Sequence, residues 1–290
     1  MYESFYNFGE KPFTLLPDPS FLFLSKKHLM ALTMLEYGLM NQSAGITVIS
    51  GEIGSGKTTL IRHLLNEMEQ DLTVGLITNT HTAFGELLQW VLMAFDLEYK
   101  KKEKVELYED FVNFVIREYA NNKRTVLIID EAQNMQPEKL EELRMLSNIN
   151  ADKNQVLQLI LVGQPELLTT LQRPDLQQFA QRISVSYHLE ALGRSETKEY
   201  IHHRIKVANG DPRIFEDTAC DAIWYHSRGV PRVINTLCDM SLVYGFAEQQ
   251  ETINFDIVNN VVHDKKSVGL FPGRNEDDGP FTLEKLKLHK

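Results

Sequence analysis

Residues 46–65 read ITVISGEIGSGKTTLIRHLL, and their reading decides the fold. The first five are β-branched or small and form a strand candidate. The stretch from Lys57 onward has helical spacing. Between them, GEIGSGKT (51–58) fits the spacing G-x-x-x-x-G-K-T, placed as that motif requires, after a strand and opening a helix. Glycines at 51, 54 and 56 let the main chain wrap closely around an anion with its N–H groups pointing inward. The helix that follows adds its N-terminal partial positive charge. Gly51, Glu52, Ile53, Gly54, Ser55, Gly56, Lys57, Thr58 and Thr59 are therefore expected to hold the phosphates of ATP. Lys57 is placed to reach the β- and γ-phosphates and Thr58 to ligate Mg²⁺.

Working outward, four more apolar runs alternate with helical patterns: 73–78, 125–130, 158–163 and 183–189. Near-continuous apolar strands separated by helices predict an α/β fold with a parallel sheet covered on both faces. After residue 190 the pattern changes to helices alone, as in SETKEYIHHRIKVA and VPRVINTLCDMSLVYGFAE. Ser195 is the expected N-cap of the first. The expected domains are a nucleotide-binding core at 1–190 with an N-terminal extension at 1–44, a helical lid at 191–268, and a flexible tail at 269–290.

In TVLIIDEAQNM, Asp130 and Glu131 end a strand of apolar residues. Carboxylates there are costly without partners. Mg²⁺ is a partner for Asp130, through its water shell. Strand alternation turns Glu131 to the other side, where it is suited to polarise an attacking water. Gln164 follows the fourth strand, at the end of a parallel sheet where ligands bind, and is suited to read the γ-phosphate. Arg182 precedes the fifth strand and is a candidate to complete a neighbouring subunit's site in trans, with Arg173 as the competing position.

Composition bounds the rest. The 290 residues carry a net charge of −10, which disfavours bulk coating of nucleic acid or an anionic membrane. The two cysteines, Cys220 and Cys238, read as free thiols of a reducing compartment. The N-terminus lacks the basic start and apolar run of a secretory signal, and no apolar stretch has the length to span a bilayer. A cytoplasmic protein is expected, meeting the inner membrane only through a partner.

With these motifs and Gly229-Val230-Pro231-Arg232 in the helical region, the chain resembles the AAA+ ATPases. The strings GEIGSGKTTLIRHLL, DEAQNM, LEELRMLSN, GQPEL and RGVPRVINTLCD resemble the secretion ATPases of the ExeA/GspA type. MYESFY, SYHL and YGFAE look most like the branch encoded with exosortase/PEP-CTERM exopolysaccharide loci. The resemblance implies a five-stranded parallel sheet of order 5-1-4-3-2 with a helical lid. It gives Lys57 and Thr58 the Walker A roles, Asp130 and Glu131 the Walker B roles, Gln164 the sensor 1 role, Arg232 the sensor 2 role on the γ-phosphate, and Arg182 the arginine-finger role. Asn79 is implied as a polar residue restraining Glu131. Longer members continue into a membrane span and a peptidoglycan-binding domain, which this chain's polar tail does not resemble. An ATPase of envelope export, acting as a homo-oligomer with a membrane-protein partner, is the leading expectation. A DNA-associated AAA+ protein of the transposition or helicase-loader type and a slow nucleotide switch stay open beside it.

Overall fold

The computed structural model describes residues 1–16, 18–40, 45–68, 72–78, 86–151, 154–269, 282 and 284. The chain divides into two compact units. One comprises Lys26–Glu52 and Leu60–Leu189; the other comprises Met1–Ser25, Ile53–Thr59 and the chain from Glu190 onward.

The first unit is built on a sheet of five strands: β1 (Ile46–Gly51), β2 (Leu72–Ile77), β3 (Arg124–Ile129), β4 (Leu157–Gly163) and β5 (Ile183–Leu189). All neighbours pair in parallel, in the order β2-β3-β4-β1-β5, as the AAA+ resemblance implied. The central strands β1 and β4 are buried at every position, whereas β2 and β5 are partly exposed, as edge strands are. The side-chain period of two sends alternate residues to opposite faces. Val48, Leu127, Ile129, Leu159 and Leu161 pack in one core with Val91, Phe111, Leu140, Leu143 and Phe179. These partners lie on α3 (Leu87–Ala94), α4 (Lys104–Ala120), α5 (Pro137–Leu146) and α7 (Gln177–Ala180), and Leu167 and Leu171 of α6 (Pro165–Leu171) join the same core. Ile49, Val126, Ile128, Ile160 and Val162 pack in a second core with Leu35 and Leu39 of α1 (Lys26–Met40) and with Leu60 and Leu64 of α2 (Lys57–Glu67). Each such fully buried aliphatic side chain contributes on the order of 2 kcal/mol.

The second unit holds α8 (Arg194–Val207), α9 (Asp217–Ser227), α10 (Pro231–Ala247) and α11 (Phe255–Ser267) around a core of its own. The N-cap of α8 is Gly193, not Ser195. Glu196 accepts the Gly193 N–H at 2.8 Å, so the first-turn acid supplies the cap that a serine was expected to give. Both cysteines are buried free thiols, and burial pushes the Cys220 thiol up to about 12.

The N-terminal segment departs from expectation. Residues 1–44 were assigned to the nucleotide-binding core, but Met1–Ser25 belong to the helical unit. Tyr2, Tyr6, Phe8, Phe13 and Phe21 are all buried in its core. Polar bonds fix the path between them. Arg204 of α8, itself buried, donates from Nε to the Pro12 carbonyl at 2.6 Å and from Nη1 to the Tyr200 hydroxyl at 3.0 Å, and its guanidinium stacks 4.7 Å over the Phe21 ring. Asn235 of α10 donates to the Thr14 carbonyl at 3.2 Å and accepts from Tyr200 at 2.8 Å. Tyr2 donates to Asp239, and the Gly9 N–H reaches the Ala208 carbonyl at 2.9 Å. The aromatics need apolar cover, and the core of the helical unit supplies it. Among the described residues, no helix is long and apolar enough to cross a membrane.

Candidate functional site

The parallel register brings three chain segments to one edge of the sheet. Ser50 at the end of β1 pairs with Gly163 at the end of β4, and Ile129 at the end of β3 pairs with Leu161. Hence Gly51, Asp130 and Gln164 all emerge at the carboxyl edge, where ligands of open α/β sheets bind.

The loop after β1 has the form the motif predicts. Gly54 and Gly56 have φ of 79° and 99°, the left-handed region that glycine enters at little cost. α2 then opens at Lys57, directing its N-terminal N–H groups toward the loop. Lys57 is 9% exposed, and its ammonium lies 3.5 Å from the Ser55 hydroxyl. These features form a cradle for an anion, and a cradle of this kind takes phosphates.

Within the helical unit this loop touches the start of α10. α9 ends in two left-handed residues, Arg228 (φ 54°) and Gly229 (φ 73°). A Cβ on Gly229 would lie 1.9 Å from the Leu192 carbonyl oxygen, so no other residue fits there. Pro231 is the first residue of α10 and has no N–H to satisfy. The next N–H, of Arg232, is one of the donors every helix start leaves over. It is taken by the Gly54 carbonyl at 3.2 Å. Arg232 is thus joined to the phosphate loop through its main chain, and its side chain is exposed. A Cβ on Gly54 would lie 2.4 Å from the Arg232 Cβ. Gly54→Ala is therefore expected to weaken binding of a fluorescent ATP analogue by about tenfold or more, from left-handed strain and this clash together. Unchanged affinity in a titration would show that the loop and α10 separate freely.

The carboxylate pair is arranged differently from its expectation. β3 ends at Ile129, so Asp130 and Glu131 lie beyond the strand. Strand alternation therefore does not aim Glu131. It sits at φ 54°, ψ 37°, a left-handed conformation that costs a non-glycine residue on the order of 1–2 kcal/mol. Its N–H reaches the Asp130 Oδ1 at 2.9 Å. Its Oε2 accepts from the side-chain amides of Gln164, at 3.2 Å, and of Gln133. Gln164 precedes α6 as its cap residue, yet its side chain goes to Glu131 and not to the helix. Gln164, expected to face the γ-phosphate, thus bonds Glu131 directly, and Gln133, which the sequence reading does not name, bonds it too. The only sequence sign was an amide two residues beyond the acid pair.

The two trans-arginine candidates also differ. Arg173 is bound to Asp175 by two bonds of 3.0 and 2.8 Å. Arg182 is half-buried, and its guanidinium has no ion-pair or hydrogen-bond partner among the described residues. Asn79 and the tail at 270–281 lie outside the described residues. Among the described residues no three His, Cys, Asp or Glu side chains converge as metal ligands. The Thr58 hydroxyl and the Asp130 carboxylate are each an oxygen donor of the kind Mg²⁺ takes, Asp130 through a water as the sequence reading has it.

Comparison with known proteins adds three findings. Residues 40–171 match a family described as AAA domain. The chain is 37% identical over 254 residues to the General secretion pathway protein A of Aeromonas hydrophila, covering 87% of this chain and 46% of that protein. The chain thus spans a little under half the length of that relative. Among solved structures, it is similar to the ORC2 protein of Aeropyrum pernix (TM-score 0.65, 16% identity, 88% of this chain and 71% of that one). CDC6P of Pyrobaculum aerophilum is similar at TM-score 0.66 with 16% identity, over 86% of this chain and 71% of that one. At such identities these likenesses speak for the fold alone.

Proposed function

Since this chain carries an AAA domain at residues 40–171 and is related to General secretion pathway protein A, we propose that it binds and hydrolyses Mg-ATP. We propose further that turnover drives assembly or operation of an envelope export system. The observation that carries hydrolysis is Glu131, a carboxylate in a strained left-handed conformation held by amides on two segments. Strain kept in place by such bonds belongs to working sites.

In this reading Lys57 holds the β- and γ-phosphate oxygens by charge, and the N–H groups of residues 51–59 surround them. Glu131 takes the proton of the attacking water, and Gln164 orients the terminal phosphate beside it. Thr58, and Asp130 through a water, would hold Mg²⁺, which would supply neutralisation of the phosphate charge. Arg232 answers to the terminal phosphate from the start of α10, so that loss of this phosphate releases the helical unit to move. Arg182 supplies positive charge to the site of a neighbouring copy, which makes the active form a homo-oligomer. The export role is supported by the family strings and by the relative's printed name, whereas the exopolysaccharide branch, cytoplasmic placement and a membrane-protein partner rest on the resemblance of the sequence strings alone.

Steady-state phosphate release tests this reading. Wild type should turn over ATP and Lys57→Ala should not. Arg182→Ala alone should lose turnover while still binding ATP. An equal mixture of Arg182→Ala with Lys57→Ala should recover part of it, because the second protein lends its arginine to sites of the first. Full activity of Arg182→Ala by itself would remove that arginine from the mechanism.

A further inference from the structure

We infer that Gln133 is a positioning residue that fixes the Glu131 carboxylate to the end of β4 and so sets the rate of turnover; this rests on the hydrolytic reading above. Its amide is engaged at both ends. Nε2–H donates to Glu131 Oε2, and Oε1 accepts the main-chain N–H of Gln164 at 3.0 Å. Gln164 closes the circuit by donating from its own amide to the same Glu131 oxygen at 3.2 Å.

Glu131 needs such a hold. It has left the sheet, and its residue is exposed. An exposed glutamate with no tether samples many rotamers and meets a water in few of them. Two amide donors on one oxygen fix the carboxylate plane, and with it the direction of the second oxygen. Gln133 is itself carried on a fixed backbone, the single 3₁₀ turn Ala132–Asn134. Ala132 within that turn and Met135 after it are buried in the sheet core. Gly163 leaves room for the contact: a Cβ there would lie 3.0 Å from Gln133 Oε1 and 2.8 Å from Leu167 Cδ2. The primary amide donates to the carboxylate from its nitrogen and accepts the N–H at its oxygen, two atoms of one planar group. A glutamate at 133 keeps the acceptor and sets a second negative charge against Glu131. A methionine keeps the length and loses both bonds.

The test compares full-length wild type, Gln133→Met and Gln133→Glu by steady-state phosphate release, affinity for a fluorescent ATP analogue, and thermal melting. Gln133→Met should lower kcat about tenfold while KM and analogue affinity change less than about twofold. Gln133→Glu should lower kcat about 100-fold, because two carboxylates meet. The melting temperature of Gln133→Met should stay near that of wild type. Wild-type kcat in both variants, or a loss that falls in step with melting temperature and affinity, overturns the inference alone. A wild type without turnover overturns the hydrolytic reading and the inference with it.

Discussion

Glu131→Gln is expected to lower ATP turnover by about 100-fold or more while nucleotide affinity stays at the wild-type value. The substitution preserves shape. The new side-chain carbonyl still accepts from the amides of Gln164 and Gln133, so the local bonding survives. What disappears is the ability to take a proton. Lys57 and the glycines of the loop are untouched, so phosphate binding persists, and the variant should accumulate in its ATP-bound form. Phosphate release and equilibrium binding, measured on the same preparation, separate the two effects. Wild-type turnover in the variant would move the base elsewhere, with Asp130 first in line. A wild type already as slow as the variant would favour a nucleotide switch.

Arg204→Ala is expected to destabilise the helical unit by about 3 kcal/mol, lowering the melting transition of that unit by several degrees. Arg204 is 6% exposed, and three different groups depend on it. Its loss leaves the Pro12 carbonyl without its donor, removes a partner of the Tyr200 hydroxyl, and takes the cation from the Phe21 ring. A cavity the size of the guanidinium stem adds to the cost. Arg204→Lys should recover little, because a single ammonium cannot serve the carbonyl and the hydroxyl with the geometry of the planar fork. Hydrogen exchange provides a local readout: protection should fall first in residues 1–25 and in α8. Uniform protection in both variants would show that the N-terminal segment is held by its aromatics alone.

The sheet was legible because β1, β3 and β4 are covered on both faces, and burial of that kind leaves runs such as TVLIID and QLILVG in the sequence. The phosphate loop was legible because its residue types are imposed by backbone conformation at Gly54 and Gly56. Three features left weaker marks. The place of residues 1–25 was hidden because their aromatics have neither helical nor strand period, and their partners lie far away in the chain. The left-handed Glu131 was hidden because glutamate gives no sign of positive φ, as glycine does. The bond between the Gly54 carbonyl and the Arg232 N–H involves main-chain atoms only, which any sequence supplies. Arg232 itself was singled out from Gly-x-Pro-Arg, but its attachment through the backbone was not foreseen.

The N-terminal segment also orders events during synthesis. The Pro12 carbonyl waits for an arginine 192 residues later, and Tyr2 for an aspartate 237 residues later. At about 5–20 residues per second, a ribosome needs roughly 10–50 s to deliver those partners. Throughout that interval five aromatic side chains have no core to enter, whereas β1 to β5 and their helices are complete before α8 is made. Residues 1–25 are therefore among the last to fold although they are made before their partners, and their aromatics stay uncovered until α10 has emerged.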